Sequence, residues 1–113
     1  MAENLTKDTF LQKVFNYEQN KEWKFEGELP CVIDFWAPWC GPCRVVGPEV
    51  EKLATRFGSA AKFVKLNIDD NREIAVKYGI MSIPTIAKFE RGAMVSQVVG
   101  ARGADALAAE LGL

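Results

Sequence analysis

Two cysteines separated by two residues form the part of the sequence best suited to chemistry. They stand in Cys40-Gly41-Pro42-Cys43, where an apolar run gives way to helical spacing. Residues three apart at a helix start lie on one side, so the two sulfur atoms can reach bonding distance. Cys40 would lie at the helix N-terminus, which favours a thiolate, and Cys43 would lie one turn inside and be less exposed. An accessible nucleophile beside a second, protected thiol is the arrangement that thiol–disulfide exchange requires.

The same pair could instead supply half of a metal site. Structural zinc usually has four ligands, which come from two such pairs or from one pair and histidines. The chain has no histidine and, besides this pair, only Cys31. We therefore predict a redox pair and no metal site. Cys31 is predicted to be a buried structural thiol, with a regulatory or metal-binding role as the alternative.

Composition limits the remaining possibilities. The chain has 113 residues, of which 49% are hydrophobic and 26% charged, and this suits one domain spanning residues 1–113. A net charge of −1 gives no footprint for nucleic acid, and the lack of histidine excludes Ser-His-Asp and Cys-His catalysis. The sequence shows no signal-peptide pattern and no apolar run of membrane-spanning length. It therefore predicts a cytoplasmic protein, monomeric by default, without nucleic-acid or membrane partners.

Hydrophobic periodicity predicts alternating helices and strands around the cysteine pair. Apolar runs without polar alternation predict strands buried on both faces, and apolar residues at helical spacing predict amphipathic helices. The predicted elements are a helix at Lys7–Gln19, a loop at Asn20–Pro30, a strand at Cys31–Trp36, a helix at Cys43–Phe57, a strand at Lys62–Ile68, a helix at Asn71–Tyr78, strands at Thr85–Glu90 and Met94–Val99, and a helix at Ala104–Leu111.

This order of elements predicts an α/β fold. Alternation at the start implies parallel strands, and the two adjacent strands near the end imply an antiparallel hairpin followed by a helix. We expect one mixed sheet of four to five strands, with helices on both faces. The segment before the first helix, residues 1–6, is short and polar, so an N-terminal edge strand would be abbreviated.

The residues around the cysteine pair match a known pattern. The stretch Phe35–Arg44 reads FWAPWCGPCR and strongly resembles the active-site signature of the thioredoxin family. The resemblance covers almost everything from Pro30 to the C-terminus and implies the thioredoxin fold. Shorter matches stand in the order expected of that family: Asp34, Lys65 within Val64–Asp69, Tyr78–Ile80, Ser82–Thr85, Arg91-Gly92 and Val99–Ala101.

The resemblance implies a protein dithiol–disulfide oxidoreductase that reduces disulfides in substrate proteins. Cys40 would be the attacking thiolate and Cys43 the resolving thiol. Asp34 would manage the proton of Cys43 through water, and Lys65 would be the charge partner of Asp34. The residues implied to hold substrate peptides are Trp39, Gly41, Pro42, Ile83, Pro84, Gly100 and Ala101, with Pro84 in the cis conformation.

The resemblance also implies an electron donor, and two other functions remain as alternatives to the reductase. An NADPH-dependent thioredoxin reductase would regenerate the dithiol; the family implies this partner, since the chain itself has no dinucleotide fingerprint. No bound cofactor would be needed. Gly41-Pro42 resembles the reducing members of the family. One alternative is a disulfide-forming or isomerising enzyme in an oxidising compartment. The other is a non-enzymatic interaction module that uses the same face.

Asp34 is a candidate on its own evidence as well. It lies inside the otherwise apolar run Cys31–Trp36, where an ionised carboxylate is costly unless it is paired or protonated. We predict that burial raises its pKa, while Lys65 acts in the opposite direction. A solvent-facing position at a sheet edge is the alternative. For Lys65, a solvent-facing strand lysine is an equally good interpretation from the residues alone.

Overall fold

A computed structural model describes residues 3–5, 29–91 and 93–113. The predicted helix at Lys7–Gln19, and all but the last two residues of the predicted loop at Asn20–Pro30, lie outside the described residues. The described elements, in chain order, are β1 (Glu3–Leu5), β2 (Cys31–Trp36), α1 (Gly41–Phe57), β3 (Lys62–Asn67), α2 (Arg72–Lys77), β4 (Thr85–Glu90), β5 (Ala93–Val99) and α3 (Ala104–Leu111).

The strands form one mixed sheet in the order β1-β3-β2-β4-β5. β1, β3 and β2 run parallel to one another, while β4 runs antiparallel to β2 and to β5. This confirms the mixed sheet and the terminal hairpin, with five strands among the described residues. The N-terminal edge strand is indeed abbreviated: β1 has three residues and, among the described strands, pairs with β3 alone, where Asn4 lies opposite Lys65.

Strand β2 lies at the centre of the sheet, and its alternating side chains point into two separate cores. Val32 points to the face that is covered by α1 and α3, and Ile33 points to the face that carries α2. The first core includes Val46, Val50 and Leu53 of α1 and Leu107 and Leu111 of α3. The second includes Phe35, Leu66, Ala87, Phe89 and Ile74 of α2. Helices therefore cover both faces of the sheet, as predicted.

Because side chains alternate between the two faces of strand β2, the position of Asp34 in the strand sets the face to which its carboxyl group points. Asp34 is two residues from Val32, so its side chain faces α1 rather than α2. On β3, Phe63 belongs to the α1 core, which puts Lys65 on the same face. Asp34 and Lys65 are also register partners in the parallel pair β2–β3. The fold thus brings this acid and this base side by side under helix α1.

The helix boundaries differ slightly from the sequence prediction. Helix α1 begins at Gly41 rather than Cys43 and continues through Pro48 to Phe57. Helix α2 is one residue shorter at each end than predicted, and Gly79, with φ of 67°, follows it. Strand β3 ends at Asn67, one residue early. No helix in the described part of the chain is long and apolar enough to cross a membrane.

Candidate active site

The turn between β2 and α1 carries the cysteine pair. The N–H of Cys40 donates to the carbonyl oxygen of Ala37 at 3.1 Å, which closes the turn directly after the strand. Cys40 is then the N-cap of α1, in an extended conformation, and its Sγ accepts a hydrogen bond from the N–H of Cys43 at 3.1 Å. The two Cα atoms are 5.3 Å apart and the sulfur atoms are joined as a disulfide. The predicted redox pair is therefore formed at the N-terminus of a helix.

The expected difference in exposure between the two cysteines is not found. Cys40 is 4% exposed and Cys43 is 5% exposed in the disulfide form. Both pack with Ala37, against Trp36 and Ile83, so the surrounding side chains cover most of the disulfide. The two thiols differ instead in their surroundings. Cys40 caps the helix, and Cys43 lines a pocket that reaches Asp34.

Asp34 is fully buried, with 0% of its surface exposed. Burial raises its pKa from 3.8 to about 6, Lys65 acts in the opposite direction, and Glu51 adds a smaller increase. The predicted direction, cause and opposing residue are thus confirmed. Neither carboxyl oxygen has a hydrogen-bond partner among the described residues. This leaves a carboxyl group, able to gain or lose a proton near neutral pH, directly behind the cysteine pair.

The pocket beside Asp34 has a volume of about 760 Å³. On the helix side it is lined by Cys43, Gly47 and Glu51, which stand four residues apart and so share one face of α1. Asp34 and Lys65 contribute from the sheet. Sequence reasoning missed Gly47 and Glu51, although their four-residue spacing from Cys43 was a usable signal. The remaining lining residues are Trp36, Ala37, Pro38, Arg44 and Pro48.

Lys65 lies in the pocket rather than pointing fully into solvent. Its side chain is half-buried, and its Nζ lies 5.3 Å from the centroid of the Trp36 ring, within the range of a cation–π contact. Trp36 is half-buried as well and packs against the cysteine pair. The structure thus brings Lys65, Trp36 and Asp34 together in one pocket.

The surface beside the disulfide carries an exposed aromatic side chain. Trp39 is 67% exposed, and its indole N–H donates to Oδ2 of Asp69 at 2.8 Å. This hydrogen bond holds the ring in place at the rim of the site. Asp69 is a third residue, after Gly47 and Glu51, that sequence reasoning did not assign. Gly41 and Pro42, in the first turn of α1, are also exposed.

A second segment reaches the disulfide from the start of β4. The peptide bond between Ile83 and Pro84 is cis, as the resemblance implied, and Ile83 packs against the cysteine pair. The N–H of Gly100 donates to the carbonyl oxygen of Pro84 at 2.9 Å, with Gly100 at φ of 97°. Ala101 follows directly and is half-buried. These residues and Trp39 therefore border the same site.

Cys31 takes no part in the site. It is buried at the start of β2, and burial raises the pKa of its thiol from 9.0 to about 12. A thiol held protonated in this way is inert as a nucleophile and as a metal ligand. Within residues 3–5, 29–91 and 93–113, no group of three or more Cys, Asp or Glu side chains could hold a metal ion.

A disulfide at a helix N-terminus, at the end of a central strand and beside a buried carboxyl group, defines a thiol–disulfide oxidoreductase site. Comparison with known proteins identifies the family. The thioredoxin family model matches residues 3–112. A thioredoxin of Pyropia yezoensis is 45% identical over 107 residues, which span 95% of this chain and 91% of that protein. A thioredoxin of Synechocystis is 48% identical over 91 residues, spanning 80% and 85%.

Comparison with solved structures agrees with this result. A thioredoxin of Malassezia sympodialis, described as a member of a pan-allergen family, superposes with a TM-score of 0.78 at 34% identity. The match covers 96% of this chain and 87% of that chain. The chain therefore belongs to the thioredoxin family. Family membership and the Cys40–Cys43 pair together make it a protein dithiol–disulfide oxidoreductase, active as a protein-disulfide reductase.

Proposed function

We propose that Cys40 is the attacking thiolate and Cys43 the resolving thiol. The thiolate of Cys40 attacks one sulfur of a substrate disulfide; that S–S bond breaks, and the other substrate sulfur leaves as a thiolate. Cys43, once deprotonated, attacks Cys40 in the mixed disulfide and releases the second substrate thiolate. Two electrons pass to the substrate, and the Cys40–Cys43 disulfide is left. The helix N-terminus and the hydrogen bond from the Cys43 N–H to Cys40 Sγ support this order, since both stabilise negative charge on Cys40.

Asp34 takes the proton of Cys43 in this proposal, and Lys65 is its charge partner. One observation carries it: a fully buried carboxyl group lines the same pocket as Cys43 and has no hydrogen-bond partner among the described residues. With its pKa near 6, this group can accept a proton at neutral pH and give it up again. Lys65, the register partner of Asp34, lowers the free-energy cost of ionising the buried Asp34 carboxyl group.

Substrate peptides bind on the surface around the disulfide. We assign to this surface Trp39, Gly41, Pro42, Ile83, Pro84, Gly100 and Ala101. An extended peptide can pair its backbone with the exposed groups near Ile83 and lay side chains against the rigid ring of Trp39. The packing of Ile83 on the cysteine pair and the Gly100–Pro84 hydrogen bond support a single continuous surface.

The electron donor is a thioredoxin reductase that draws on NADPH, and the chain binds no cofactor of its own. We further propose that residues 1–113 act as one domain, as a monomer. The protein works in the cytoplasm, because a disulfide reductase needs a reducing compartment in order to be recycled. Gly41-Pro42 between the cysteines matches reducing members of the family and supports this direction.

Trapping of the mixed disulfide tests the two cysteine roles. A Cys43→Ser variant is expected to accumulate a covalent adduct with a disulfide-containing protein such as insulin, attached at Cys40. A Cys40→Ser variant is expected to form none. Cys31→Ala is the matched control and should behave as the parent chain. An adduct mapped by mass spectrometry to Cys31, or equal adducts in both variants, would refute the assignment.

The reduction potential separates a reductase from an oxidising relative. Thioredoxin has a potential of about −270 mV and protein disulfide isomerase about −180 mV. Equilibration of the Cys40–Cys43 pair against glutathione is expected to give a value close to the thioredoxin end of this range. A value close to that of the isomerase would contradict the proposed direction.

A further inference from the structure

The pocket behind Cys43 holds two carboxylates rather than one. Cys43, Gly47 and Glu51 form a stripe on one face of α1, and this stripe lies over Asp34 and Lys65 of the sheet. Glu51 is half-buried, two turns along the helix from Cys43. Asp34, in contrast, is completely covered. The pocket therefore runs from a buried carboxyl group to one that lies nearer the surface.

Several buried polar atoms that line the pocket need hydrogen-bond partners inside it. Both oxygens of Asp34 are buried without a hydrogen-bond partner in the described part of the chain, and such an atom normally binds water or another polar group. At about 760 Å³ the pocket has room for a chain of water molecules, each of which occupies about 30 Å³. The indole N–H of Trp36, which also lines the pocket, is buried and unpartnered in the same sense.

Gly47 keeps the space between Cys43 and Glu51 open. It is buried in the middle of α1, and a Cβ atom built on it would lie 4.0 Å from the Nζ of Lys65. A larger side chain at this position would occupy the pocket between the two carboxylates. Gly47 therefore adds no side chain to the pocket wall between Cys43 and Glu51.

We propose that Glu51 is a positioning residue for the resolving step: it accepts, through water in the pocket, the proton that Asp34 takes from Cys43, and releases it to bulk solvent. The proposal rests on the proposed role of Asp34. The proton leaves Cys43 Sγ, resides on the Asp34 carboxylate and then passes to the Glu51 carboxylate and to water. These transfers move only a proton, so no oxidation state changes, and Asp34 is again a carboxylate for the next cycle.

Charged side chains from two elements line the pocket. Lys65 is the register partner of Asp34 on β3, and Arg44 lines the pocket from α1. Glu51 also borders a second depression of about 400 Å³, which Lys52 and Arg56 line further along α1. The negative charge of Glu51 raises the pKa of Asp34 and so makes it a better proton acceptor.

Substitution of Glu51 tests the proposal through Asp34. In Glu51→Gln the midpoint of the Asp34 titration, followed by carboxyl NMR, is expected to fall by about half a pH unit, which is about threefold in proton affinity. The rate at which Cys43 resolves the mixed disulfide near neutral pH, measured by acid quenching and alkylation, is expected to fall by threefold or more. Glu51→Asp should restore most of the rate. Glu110→Gln makes the same change on the exposed face of α3 and should match the parent.

Rescue by a small buffer molecule distinguishes a proton-transfer role of Glu51 from a purely structural role. Added imidazole, which can enter the pocket and carry protons, should recover the rate of Glu51→Gln and leave that of the parent unchanged. Unchanged titration and pH profile in Glu51→Gln would overturn the inference while leaving the role of Asp34 intact. If Asp34→Asn also leaves the pH profile of the closing step unchanged, the proposed role of Asp34 fails, and the inference about Glu51 fails with it.

Discussion

Replacement of Asp34 by asparagine is expected to stabilise the oxidised protein at neutral and alkaline pH. The folded protein holds the proton of Asp34 up to about pH 6, whereas an unfolded chain releases it near pH 3.8. Below both values the carboxyl group is protonated in either state and carries no penalty. As the pH rises from about 3.8 to about 6, the free energy of unfolding falls, and above about pH 6 the full destabilisation by the ionised Asp34 is present.

The size of this effect follows from the two pKa values. A gap of roughly two pH units, at about 1.4 kcal/mol per unit, gives about 3 kcal/mol of destabilisation above the window. Asparagine has nearly the same shape and never ionises, so Asp34→Asn removes the penalty. Any cost of burying the amide is the same at every pH. The gain in free energy of unfolding, relative to the parent, should therefore be about 3 kcal/mol larger at about pH 8 than at about pH 3.5.

Urea unfolding of the oxidised parent and variant at the two pH values measures this difference. Asp105→Asn is the matched control, because the side chain of Asp105 is 92% exposed. The pH-dependent gain is expected at Asp34 and not at Asp105. If the difference between Asp34→Asn and the parent were the same at both pH values, Asp34 would not carry the raised pKa on which the proton-transfer role depends.

Four further predictions concern Trp39 at the rim of the site, the thiol of Cys31, and two glycines, one within helix α1 and one at its C-cap. Trp39→Ala removes the exposed ring and its hydrogen bond to Asp69, and should raise the KM for a protein substrate by about tenfold, near 1.4 kcal/mol, with a much smaller effect on a small disulfide. Cys31 should resist iodoacetamide at about pH 8 in the native reduced protein and react only after unfolding, as mass spectrometry can show. Gly47→Ala should raise the free energy of unfolding by about 0.5–1 kcal/mol, since alanine favours the helix and the added Cβ meets only ordinary contacts. Gly58→Ala should lower it, since the added Cβ would lie 2.6 Å from a backbone oxygen.

The elements around the cysteine pair could be predicted because each carries a local signal. Cys31–Trp36 has no polar alternation apart from Asp34, as expected of a strand buried on both faces, and the structure has a strand with those bounds. Ala104–Leu111 likewise has its predicted bounds, because its apolar residues recur at helical spacing. The sequence predicts the start of α1 two residues late, at Cys43, because Gly41 and Pro42 are residues typical of turns. Proline is well suited to the first turn of a helix, where its missing N–H has no intrahelical partner.

Features that depend on distant partners were harder to predict. Strand β1 is short and polar, and it forms by pairing with β3, about sixty residues further along the chain. The pocket needs residues from α1, β2 and β3 at once, so Glu51 had no local signal other than its spacing from Cys43. The near-equal burial of Cys40 and Cys43 depends on packing by Ile83, which comes from a separate segment.

The buried carboxyl group links the stability of this protein to its chemistry. A neutral residue at position 34 would make a more stable fold above about pH 6, yet the same group is the proposed proton acceptor for Cys43. Burial supplies both effects, because it is the desolvation of Asp34 that brings its pKa close to the working pH. We expect Asp34→Asn to be more stable and slower in closing the mixed disulfide.

Reduction of insulin disulfides, coupled to NADPH through thioredoxin reductase, tests the central claim most directly. The parent chain is expected to accelerate NADPH consumption and insulin reduction at catalytic concentration. Cys40→Ser should abolish both, and Cys31→Ala should leave both unchanged. A parent chain that shows no activity, or a Cys40→Ser variant that keeps it, would contradict the conclusion that the Cys40–Cys43 pair reduces protein disulfides.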